Sequence, residues 1–69
     1  MNQPRVDVRE ITPGEWRVVL RSSHAPSGEA LDAGEARERA DAAEAAGDTE
    51  LAHELRRAAL TVDERTITI

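Results

Sequence analysis

Residues 31–60 read LDAGEARERADAAEAAGDTELAHELRRAAL, and this stretch decides the fold because helix-forming residues dominate it. Asp32 and Glu35 have the spacing of a capping box, in which each side chain bonds the other residue's backbone N–H. Gly47 suits the left-handed position that ends a helix, and Asp48 can cap a second helix at once. The sequence therefore predicts two antiparallel helices, at about 30–46 and about 48–61, joined by a tight turn.

The two predicted helices carry different apolar faces. The first gathers small residues on one side: Ala33, Ala36, Ala40 and Ala43. The second gathers larger ones: Leu51, Leu55, Ala58 and Val62. Burying each leucine is worth roughly 1.5–3 kcal/mol, so the second helix is expected to hold the domain together. Leu60 points away from this face. The expected explanation is that the helix has already ended there; the alternative is that Leu60 is exposed and meets a partner.

Three segments outside the helices alternate apolar and polar residues, as half-buried strands do. They predict strands at about 5–11, about 15–22 and about 65–69. Pro13 and Gly14 mark a turn between the first two, but this pair does not suit the primed turns of tight hairpins. We therefore expect a loop of about four or five residues, with a bulge or strand end at Ile11.

These elements predict an α+β fold in which residues 1–69 form a single small ββααβ domain. A three-stranded, mostly antiparallel sheet is expected to pack on the antiparallel helical hairpin. Large apolar residues are few for an isolated domain, and the terminal strand would be an open edge. The sequence therefore predicts a homodimer, formed by edge pairing or by exchange of residues 65–69.

Composition and charge narrow the classes of function. The chain has 14 acidic residues against nine arginines, no lysine and no cysteine, for a net charge of −5. An acidic protein repels nucleic acid unless a local patch is basic. The lack of cysteine excludes disulfides and thiol chemistry. No apolar run approaches the roughly 18 residues of a membrane span, and the N-terminus does not read as a signal peptide. A soluble cytoplasmic protein is the expectation.

Charge is unevenly distributed along the chain, and the acids concentrate on the first helix. Residues 29–69 carry five arginines against eleven acids, a net charge of −6. Acids recur at every third residue of the first helix, and those pointing away from its alanine face are Glu35, Glu38 and Asp41. This exterior motivates one hypothesis, an acidic inhibitor that mimics nucleic acid, such as a phage anti-defence protein of the anti-CRISPR type.

Four arginines are predicted to share the outer face of the hairpin: Arg5, Arg9, Arg17 and Arg21. One interpretation is a solvated strand face with Asp7 and Glu15 as ion partners. The other is a binding face for nucleic acid or an acidic protein, in which Arg17 and Arg21 would contact the partner. Sheets that bind nucleic acid usually add exposed aromatics, and the only aromatic, Trp16, falls on the predicted core face. Nucleic-acid binding is therefore disfavoured.

Neither histidine predicts a metal or catalytic site. His53 lies near two glutamates, but Arg57 stands where a zinc protease motif requires a second histidine. His24 lies in a serine-containing loop without a nucleophile elbow. No catalytic residue, metal or cofactor is predicted. The first hypothesis is therefore a small non-enzymatic protein-interaction module, acting as a binding partner or regulator, with Leu60 and Ile67 as candidate contacts.

Overall fold

The computed structural model describes residues 5–66. Three strands come first: β1 (Val6–Thr12), β2 (Glu15–Leu20) and β3 (Glu29–Leu31). Two helices follow: α1 (Ala33–Ala45) and α2 (Thr49–Thr66). The strands form one antiparallel sheet in the order β1-β2-β3, and both helices pack on the same face of it. The predicted α+β class, a three-stranded antiparallel sheet with a helical hairpin, is confirmed.

The third strand of the described chain lies before the helices, not after them. β3 occupies residues 29–31, where the sequence predicted the start of the first helix. Leu31 pairs with Val18 and is almost fully buried, so the strand conformation places a large side chain in the core. Helix α1 begins only after Asp32, whose extended backbone (φ −77°, ψ 175°) is that of an N-cap.

The predicted strand at 65–69 is wrong for its first two residues, because Arg65 and Thr66 form the end of α2. Residues 67–69 lie outside the described part of the chain. Helix α2 passes the predicted end at residue 61 because tertiary contacts override β propensity. Val62 is buried in the core, and the Arg65 guanidinium lies 4.4 Å from the centroid of the Trp16 ring. The Thr66 hydroxyl donates to the Val62 carbonyl at 2.7 Å, which accommodates threonine in a helix.

The β1–β2 hairpin closes more tightly than the sequence predicts. Thr12 pairs with Glu15, so the loop holds two residues and the expectation of a longer loop is wrong. The register shifts between Glu10 and Thr12, so of the two predicted outcomes at Ile11, a bulge and a strand end, the bulge is the one found. A bulge adds local twist and lets a Pro-Gly turn close the hairpin. The Glu10 carboxylate also accepts the Gly14 N–H at 3.0 Å.

The core lies between the sheet and the two helices. Helix α1 contributes only small side chains to it, with Ala36, Ala40 and Ala43 buried. Helix α2 supplies the bulk, with Leu55 fully buried and Val62 nearly so. The predicted division between a small-residue helix and a larger-residue helix is confirmed. Small side chains on α1 let this helix approach α2 and the sheet closely.

Both predicted capping motifs are present. The Asp32 carboxylate accepts the Glu35 N–H at 2.8 Å, and the Glu35 carboxylate accepts the Asp32 N–H at 3.2 Å. At the turn between the helices, Gly47 has φ +87° and its N–H donates to the Glu44 carbonyl. The Asp48 N–H donates to the Ala43 carbonyl, which completes a Schellman motif.

Gly28 is required by a close approach as well as by its backbone angle. Its φ is +106°, and a Cβ built there would overlap the side chain of Val19. Val19 lies on the sheet face opposite the helices, yet it is only 6 % exposed. The backbone at Gly28 therefore covers an apolar residue on the otherwise open face of the sheet.

Replacing Gly28 by alanine should destabilise the chain more than replacing Gly47, whose φ is also positive but whose Cβ would meet open space. Both variants incur the left-handed cost of about 1–2 kcal/mol. Gly28→Ala adds overpacking against Val19, a further roughly 1–3 kcal/mol. Urea unfolding of both variants measures the difference. Equal losses of unfolding free energy would contradict the close approach.

The fluorescence of Trp16, the only aromatic residue, tests whether the last turn of α2 packs against the sheet. Arg65→Ala removes the guanidinium that covers one face of the ring, so quenching of tryptophan fluorescence by acrylamide should increase. Arg57→Ala is the matched control, because Arg57 is an exposed arginine of the same helix. If acrylamide quenches the Trp16 fluorescence of the two variants equally, Arg65 does not lie over Trp16.

Candidate functional site

Leu60 is the most exposed large apolar residue of the described chain, at 58 %, and Ile11 follows at 53 %. The expected end of the second helix before Leu60 is wrong, because α2 continues to Thr66. Leu60 lies five positions after the buried Leu55, roughly 140° around the helix from it. The alternative reading of the sequence, an exposed Leu60, is therefore the one found.

Ion pairs between the two helices lie on both sides of Leu60. On one side, Arg56 bonds Asp41 at 2.9 Å and Glu44 at 3.0 Å. On the other side, Arg37 pairs with Asp63. Arg56 precedes Leu60 by four residues and Asp63 follows it by three, so both neighbour it on the helix surface. We call these residues the outer helix surface: Arg37, Asp41, Glu44, Arg56, Leu60 and Asp63.

The charged groups of the outer helix surface pair across the two helices. Hydrogen bonds to Glu44, and then to Asp41, raise the pKa of Arg56 above its ordinary value. Arg56 therefore stays charged throughout the physiological pH range. One guanidinium binding two carboxylates from consecutive turns of α1 links that helix to α2 at the surface. Leu60 is thus presented on a defined surface and not on a fraying helix end.

The three acids predicted as an acidic exterior have separate roles. Glu35 belongs to the capping box of α1, and Asp41 is paired with Arg56. Glu38 is exposed and takes part in none of the ion pairs formed within residues 5–66. The three carboxylates therefore do not form one array available to a partner.

The predicted arginine face is divided between two sides of the molecule. Arg9 and Arg17 pair across β1 and β2, and each has an acid on its own strand: Arg9 bonds Asp7 at 3.3 Å and Arg17 bonds Glu15 at 3.2 Å. These are the ion partners that the solvated-face interpretation named. Like charges placed opposite each other repel, so the two acids offset the arginine pair. Arg21 is half-buried after β2.

Arg5 does not join the outer sheet face, and the prediction that it does is wrong. Its guanidinium reaches the helical hairpin, where it lies 3.2 Å from Asp48 and 3.6 Å from Glu54. Arg5 precedes β1, so the strand alternation does not fix its direction. A cation before the sheet thus neutralises acids at the start of α2.

The exposed edge of β1 is partly blocked. The Arg21 N–H bonds the Arg5 carbonyl, and the alternation of an antiparallel ladder then directs the Val8 N–H away from β2. This N–H donates to the Asp7 carboxylate at 2.9 Å. At the opposite edge, β3 has three residues. Both features reduce the template for pairing with another chain. Ile67, named as a contact for such pairing, lies outside the described residues.

His53 and His24 are both exposed, and the described residues contain no cluster of three or more potential metal ligands. No pocket is found on the part of the chain that the structure covers. Within residues 5–66, neither helix combines the length and the apolar character needed to cross a membrane. Comparison with known protein families, with curated proteins and with solved structures finds no match for the chain.

Leu60 should contribute little to stability, in contrast to Leu55 of the same helix. Leu60→Ala removes a largely exposed side chain, so the unfolding free energy should change by less than about 0.5 kcal/mol. Leu55→Ala opens a cavity in the core and should lower it by about 2–5 kcal/mol. Denaturant titration compares them. A large loss for Leu60→Ala would mean that this leucine serves the fold.

Proposed function

We propose that the chain is a small non-enzymatic protein-interaction module and that its outer helix surface contacts the partner. The observation that carries the proposal is Leu60, a leucine 58 % exposed in the middle of a well-packed helix with interhelical ion pairs on both sides. We take the exposed leucine as the centre of the contact and the charged groups before and after it on α2 as part of the rim that excludes water.

The roles of the acidic residues favour this surface over an acidic mimic of nucleic acid. A mimic needs carboxylates spaced along a surface and free to meet a basic site. Here Asp41 and Glu44 both bind Arg56. Asp48 caps α2 and also binds Arg5. Glu29 bonds Arg39 at 2.6 Å. Each of these carboxylates stabilises the fold locally, which lowers the charge available to a basic partner.

The chemistry of the surface describes the partner that it fits. A partner would offer a small apolar depression for Leu60. Around that depression it would carry hydrogen-bond acceptors for the arginines and donors for the carboxylates of the outer helix surface. Charged rim residues mainly affect the association rate and the choice of partner, whereas the buried centre sets the dissociation rate. We also propose a cytoplasmic location, which the absence of cysteine supports.

Affinity capture from host lysate tests the module. Tagged wild-type chain should retain a specific protein, and Leu60→Asp should reduce its capture by about tenfold or more, because a carboxylate would be buried at the interface centre. Ile11→Asp is the matched control, since Ile11 is exposed to a similar degree on the β1–β2 hairpin. The control should retain the partner.

The salt dependence of capture distinguishes apolar contact through Leu60 from electrostatic binding by an acidic surface. Capture through Leu60 should persist when salt is raised from about 0.1 M to about 1 M, because apolar contact is not screened. Loss of capture in high salt, with Leu60→Asp still binding, would reject the proposed surface in favour of an acidic inhibitor. Equal capture by Leu60→Asp and Ile11→Asp at both salt concentrations would also reject it.

A further inference from the structure

We draw no further inference here: the strongest candidate, the exposed face of α2 around Leu60 with Arg57 beside it, belongs to the surface already described, and nothing in the structure shows what covers it.

Discussion

The structure depends on the close packing of α1 against α2 and the sheet, although α1 contributes no large side chain to the core. Ala36 and Ala40 are fully buried, so this helix offers little apolar area of its own. It holds its place through close packing and through ion pairs at its sides, with Glu29 on β3 and with Arg56 and Asp63 on α2. The dispersion attraction of many close atom contacts takes the place of the apolar burial that larger side chains would supply.

Local chemistry made most of the helical region predictable. The capping box at Asp32 and the glycine turn at Gly47 need only residues within a few positions of each other, so spacing in the sequence was sufficient to place them. The bulge at Ile11 followed in the same way, from the phase of apolar residues in β1. The loop length did not follow, because the extra local twist that the bulge adds lets a two-residue Pro-Gly turn close the hairpin.

The errors arose where distant residues decide the local conformation. Residues 29–31 become a strand because β2 is there to pair with them and because Leu31 fills the core. Arg65 and Thr66 become helical because Val62 and Trp16 engage the last turns of α2. For the candidate site, the helical wheel indicated that Leu60 points outward. The ion pairs beside it, and the contact of Arg5 with the helices, could not be predicted because they join residues far apart in sequence.

The contacts of α2 with the start of the sheet also affect when the chain can fold. Arg5 and Trp16 lie in the first quarter of the chain, yet they bind Glu54 and Arg65 near its other end. The apolar face of β1 and β2 therefore has no cover until α2 has been synthesised. A nascent chain holding only the strands and α1 would expose that face, so the domain should reach its native packing only once α2 has left the ribosome.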